Sequence, residues 1–220
     1  MYLGQHEAAR QELNKGLAIR RRLGDSWGTA QSLANLAHLA LIQPDFDEAA
    51  TQVKTALTLA DQIGSAEIQI EARWIQALIQ AETGQLEQGL QTVRKALEMA
   101  QTTGLLKKES DCLKVLGVLQ TQHGQFDEAE VSLLRSVEFA QKQNDPYRQG
   151  QAIYALARLY QHMYQKSDPA SEEWRSKALA NLGEAARLFQ IVGAAHYLKL
   201  AQLALGQIQG KRNTADDIQL

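Results

Sequence analysis

Gly84-Gln85-Leu86-Glu87-Gln88-Gly89 opens a stretch of twenty-one residues that closes at Gly104, and three similar stretches stand elsewhere in the chain. They begin Gly4-Gln5-His6-Glu7-Ala8-Ala9, Pro44-Asp45-Phe46-Asp47-Glu48-Ala49 and Gly124-Gln125-Phe126-Asp127-Glu128-Ala129, and they close on Gly24, Gly64 and Asn144. Successive starts fall forty residues apart without slippage. A period of that length marks a repeat architecture, in which each unit buries its apolar face against its neighbours. It points to a binding scaffold and leaves the ligand open.

Each period divides into two helices. The second of each pair follows the Gly-Gln or Pro-Asp turn and carries acids in its first turn, among them Asp47, Glu48, Glu87, Asp127 and Glu128. Negative charge suits the positive end of the helix dipole. Ala49, Val53, Ala56, Leu57 and Ala60 then form an apolar stripe at helical spacing, as do Ala129, Leu133, Val137 and Ala140. Gly and Asn close these helices because they accept the left-handed conformation. The first helix of the next pair starts at once, with Asp25, Ser65 and Asp145 as N-caps and Pro146 at the first helical position. Leu105 stands at the equivalent place and has no side-chain acceptor to offer. Ala37, Ala77 and Gly117 each precede a small partner (Ala49, Gly89 and Ala129) by twelve residues, and Ala157 finds its partner at Ala178 beyond an insertion. Small residues facing each other let two helices approach closely.

This leucine, small residue, then alanine order resembles the tetratricopeptide pattern. The repeats are longer than the commonest ones of ~34 residues. With the connector Arg22-Leu23-Gly24-Asp25, they are similar to the C-terminal arrays of bacterial signal-transduction ATPases and LuxR-type regulators. Kinesin light chains and Pins-type adaptors have similar long repeats. The resemblance implies an all-α, right-handed α-α superhelix. A single solenoid is expected over 1–210, with units at about 1–24 (partial), 25–64, 65–104, 105–144 and 145–193. A terminal helix is expected at 194–209 and a polar tail at 211–220. Tyr164 to Glu172 is expected to be a turn-rich surface insertion. The helix from about Gln5 to Leu23 lacks a partner before it. The chain therefore reads as a fragment of a longer array, or as a true start with an unpaired helix. Either reading predicts Leu13 and Leu17 partly uncovered, with Leu198, Leu205 and Ile208 uncovered at the other end, and self-association through uncapped ends.

The resemblance also implies a concave groove lined by the first helices. His38 would face it from the first full unit, Glu71, Trp74 and Leu78 from the second, Lys114 from the third, and Tyr154, Arg158 and His162 from the fourth. Trp, Tyr and Arg are frequent interface anchors. Trp74 has a second reading, as core that compensates for Arg73 and Gln76 where the neighbouring units carry Leu33 and Leu36 or their equivalents. A protein or peptide segment is the expected partner, and the chain is expected to be the non-catalytic sensor or regulatory array of a larger bacterial signalling protein. A free-standing adaptor or a self-assembling module is the alternative.

Composition removes other classes. The 23 basic and 25 acidic residues leave a formal charge of −2, without the basic excess of a nucleic-acid surface. The single cysteine, Cys112, precludes an internal disulfide framework and suits a reducing cytoplasm. No apolar run approaches the ~20 residues of a membrane span. His6, His38, His123, His162 and His196 stand in different units without a His-x₃-His pair, so neither a metal site nor another cofactor is expected. Gly206 to Lys211 is one residue short of a phosphate loop and has Arg212 where Ser or Thr is needed. No acid, base and nucleophile converge, and the chain is read as no enzyme.

Overall fold

The computed structural model describes residues 2–166 and 172–210, with the side chains of the first helix from Glu7 onward. Ten helices account for nearly all of the described residues, and none of those residues is in a strand. They are α1 (Tyr2–Arg22), α2 (Ser26–Ile42), α3 (Phe46–Ile63), α4 (Ala66–Glu82), α5 (Leu86–Thr103), α6 (Leu106–His123), α7 (Phe126–Lys142), α8 (Pro146–Lys166), α9 (Glu172–Ile191) and α10 (Ala195–Ile208). The chain forms two compact units, 1–108 and 109–220, divided near the start of α6. In the first, α2 packs against α1, α3 and α4, and α4 against α3 and α5. In the second, α8 packs against α7, α9 and α10, and α9 against α10.

The helix ends follow the repeat chemistry. Asp25 accepts a hydrogen bond from the Gly28 N–H (2.8 Å), Asp45 from that of Glu48 (3.1 Å) and Asp145 from that of Arg148 (3.0 Å). Gly64 has φ +67° and Asn144 +49°, so the next N–H folds back onto the helix just ended, Ser65 to the Ala60 carbonyl and Asp145 to that of Ala140, both at 3.0 Å. Where Leu105 offers no cap, the Leu106 N–H turns back to the Gly104 carbonyl at 3.0 Å. Ala195 does the same with Gly193 (2.9 Å), so a backbone turn substitutes for the missing side chain.

The small residues sit in the seams. Ala37, Ala77, Ala157, Ala49, Ala129 and Ala178 are all 0 % exposed. A Cβ added at Gly117 would stand 3.1 Å from the Ala129 carbonyl oxygen, which shows how closely α6 and α7 approach. Higher in that seam Ser110 and Ser136 hydrogen-bond each other's carbonyls (3.1 and 2.8 Å), and Ser132 donates to Gln120 Oε1 at 2.7 Å. In the α1–α2 seam Arg20 donates to Ser32 Oγ.

Two boundaries and one burial differ from expectation. Gly4 lies inside α1, which runs unbroken from Tyr2. Helix α8 continues through Tyr164, Gln165 and Lys166, so the insertion is shorter than Tyr164 to Glu172, and its residues 167–171 lie outside the described residues, as does the tail 211–220. Helix α10 runs from Ala195 to Ile208, within one residue at each end of the helix expected at 194–209. Leu17 is buried (6 % exposed) under α2; the apolar side chains left in solvent are Ile19, Leu23 and Trp27, the last two at 73 % and 50 %.

Candidate functional site

The eight residues expected on the first-helix face divide between the two units. In the first unit, His38 on α2 meets Trp74 on α4 edge-to-face, with ring centroids 5.2 Å apart. Trp74 is buried (7 % exposed), as are Ile75 and Ile79, with Leu78 half-buried. Glu71 is engaged twice. It accepts from Gln31 Nε2 at 3.1 Å, and its other oxygen accepts from Lys108 Nζ, which also lies 3.6 Å from Glu67. Glu71 and Lys108 are 13 % and 10 % exposed, so this bridge ties α2, α4 and the start of α6 together within the unit. Lys108 went unnoticed in the sequence, because its partner stands 37 residues away.

The second unit gathers a larger polar cluster on α6, α8 and α10. Asp111 on α6 is clamped by Arg148 on α8 through Nε (3.1 Å) and Nη2 (3.2 Å). Arg148 also donates to its own N-cap, Asp145, at 2.7 Å. One turn along, Lys114 donates to Gln151 Oε1 at 3.0 Å, and the Gln151 amide donates to the Tyr147 hydroxyl at 3.1 Å. Tyr147 meets Tyr197 of α10 edge-to-face at 5.9 Å. Half-buried Tyr154 lies one turn before Arg158, which is exposed. His162 is exposed too, its ring 6.3 Å from that of Phe126.

Burial governs the electrostatics. It lowers the pKa of the Lys114 ammonium, and Asp111 acts against it. Burial likewise raises Tyr147, Tyr154 and Tyr197, which stay protonated. The cluster thus offers one exposed guanidinium, a half-buried ammonium and several phenols, against two carboxylates already held by Arg148. That is chemistry for holding a polar, partly aromatic segment. Of the residues expected from sequence, the structure joins His38 to Trp74, and it ties Glu71 and Lys114 to the partners Lys108 and Gln151. Tyr147, Gln151 and Tyr197 complete the second cluster.

Elsewhere in the first unit, a depression of about 510 Å³ lies against α3 and α4, lined by Val53, Lys54, Leu57, Gln76 and Gln80 among others. Among the described residues no group of three or more His, Cys, Asp or Glu side chains is placed to hold a metal ion. Cys112 is buried. No described helix is long and apolar enough to cross a membrane.

With that geometry in place, the fold class is clear: all-α, a tetratricopeptide-type helical repeat. Two solved structures support it. BtubC (BKLC) from P. vanneervenii superposes with a TM-score of 0.61 at 16 % identity, covering 95 % of this chain and 92 % of that one. A signal transduction ATPase with numerous domains from Pyrococcus horikoshii, described as carrying a tetratricopeptide repeat sensor, gives 0.59 at 14 % identity over 82 % of this chain. This chain spans 27 % of that protein's length. No protein-family model and no curated protein sequence matches the chain. At these identities the likeness is one of fold, that of an all-α helical repeat.

Proposed function

We propose that the chain is a non-catalytic scaffold that binds a peptide or protein segment on its first helices, through the cluster around Lys114, Gln151, Tyr154 and Arg158. The observation that carries this reading is the exposed Arg158 one turn from half-buried Tyr154, beside the Lys114–Gln151–Tyr147 chain of hydrogen bonds. Tyr154 packs against core residues of α8, α9 and α10 while part of it stays in solvent, and a partly exposed aromatic beside an arginine commonly anchors interfaces. The sensor description of the Pyrococcus horikoshii protein supports a regulatory role in a larger signalling protein, in which occupancy of this face would bias attached domains.

The test is selection of binding peptides from a random display library on the full chain, followed by affinity measurements on variants. Tyr154→Ala and Arg158→Ala should each weaken the selected peptides by about tenfold, as expected for anchors worth ~1–2 kcal/mol. Leu134→Ser, on the exposed side of α7, should leave affinity unchanged. Peptides that bind the Tyr154 and Arg158 variants as tightly as the parent would refute this site.

A further inference from the structure

Where α7, α8 and α9 meet, a lysine of the chain lies over two aromatic rings. Tyr160 and Trp174 stack with centroids 5.8 Å apart and planes inclined by 19°. Lys177 Nζ lies 4.4 Å from the Trp174 centroid and 5.5 Å from that of Tyr160. Two carboxylates stand around it. Glu173 approaches the ammonium at 2.8 Å, and Glu130 accepts the Tyr160 hydroxyl at 2.6 Å. Ring faces carry negative quadrupole potential, and carboxylates add full negative charge. The combination is a receptor for a cation.

The walls and the occupant are held very differently. Tyr160 is 5 % exposed and belongs to a buried cluster with Ala129, Leu133, Leu156 and Leu159, against which Trp174 and Phe126 pack. Those contacts fix the rings whether or not a cation is present. Lys177, in contrast, is held through a flexible stem and an i,i+4 pair with Glu173, whose side chain is 66 % exposed. Exposed pairs of this kind contribute little. A second lysine of the chain, Lys166, lies 5.2 Å from the Phe126 ring at the same corner, so this surface draws cations at more than one place.

We propose that the Tyr160–Trp174 ring pair, with Glu130 and Glu173 beside it, is a binding slot for an ammonium-bearing side chain of a basic partner segment, filled in the free chain by its own Lys177. The slot lies on other residues than the first-helix cluster, so it stands or falls independently of that reading. Binding would exchange one ammonium for another, and a partner carrying several lysines would gain over the single internal occupant by multivalency.

The full chain has three tryptophans, Trp27, Trp74 and Trp174, which give three indole N–H signals in a ¹⁵N-labelled sample. The Trp174 signal is assigned by its loss in Trp174→Phe. Tetramethylammonium chloride is then titrated against sodium chloride at equal ionic strength. Lys177→Ala, with Lys177→Gln as a second variant in case the first is poorly folded, should show a saturable shift of the Trp174 signal alone. Its midpoint should lie at least about tenfold below that of the parent, because the competing ammonium is gone. Adding Glu130→Gln and Glu173→Gln to either variant should weaken the response. A midpoint unchanged from the parent, or no saturable Trp174 shift in two folded variants, would overturn the proposal.

Discussion

Gly117→Ala probes the closest contact in the α6–α7 seam. Helix propensity alone favours alanine over glycine by about 1 kcal/mol. Against that, the new Cβ would stand 2.5 Å from Leu133 Cγ, 2.8 Å from its Cδ2 and 3.1 Å from the Ala129 carbonyl oxygen. Leu133 is 0 % exposed and cannot swing into solvent, and the carbonyl belongs to the backbone of α7. Overpacking of this kind costs about 1–3 kcal/mol. The net effect expected for Gly117→Ala is therefore between no change and a loss of about 2 kcal/mol. Gly183, exposed and within α9, is the control, since an added Cβ there meets nothing within 4 Å. Gly183→Ala should gain the propensity term alone, about 1 kcal/mol, or roughly 2–4 °C in Tm for a chain of this size. Leu133→Ala removes the atoms the new methyl would strike, so in a double-mutant cycle it should couple to Gly117→Ala by about 0.5–3 kcal/mol. Urea unfolding followed by circular dichroism measures the parent and all four variants. Equal stabilisation by Gly117→Ala and Gly183→Ala would refute the close approach of α6 and α7.

Arg148→Ala should destabilise by about 2–3 kcal/mol, because it strands Asp111, whose side chain is 11 % exposed. Adding Asp111→Asn should recover part of that loss, and denaturant midpoints that fail to recover would mean the arginine acts through packing alone. A pH dependence follows from Tyr160, whose pKa burial, and then Glu130, raise above the ordinary 10.0. The folded chain keeps this proton after the unfolded chain has released it, so the stability it contributes is complete below pH 10.0 and is lost as pH climbs towards the folded value. Denaturant midpoints measured on either side of that pH should fall less steeply for Tyr160→Phe than for the parent, with Tyr147, Tyr154 and Tyr197 still contributing a decline of the same sign. Identical slopes would show that Tyr160 titrates freely.

Much of this protein is legible from local rules. The forty-residue recurrence, the Gly and Asn stops, the Asp and Ser caps and the small residues of the seams all follow from residue chemistry within one or two turns of helix. Helical periodicity then says which faces are buried. Backbone preference and the 3.6-residue turn act over a few positions, so they are written in order along the chain. What tertiary structure alone decided are the pairings of side chains from different helices. Glu71 looked like a groove residue until Lys108, 37 positions on, took its second oxygen. Lys114 is tied to Gln151 and Asp111 to Arg148 across the same interval. Gly4, identical in type to the turn glycines Gly84 and Gly124, is helical, because a glycine permits a positive φ without requiring one. Trp74 could be core or surface on its pattern alone, and it is buried, edge-to-face with His38 of another helix. Such outcomes depend on which partner reaches a group first through space, and that distance is set by the packing of whole helices.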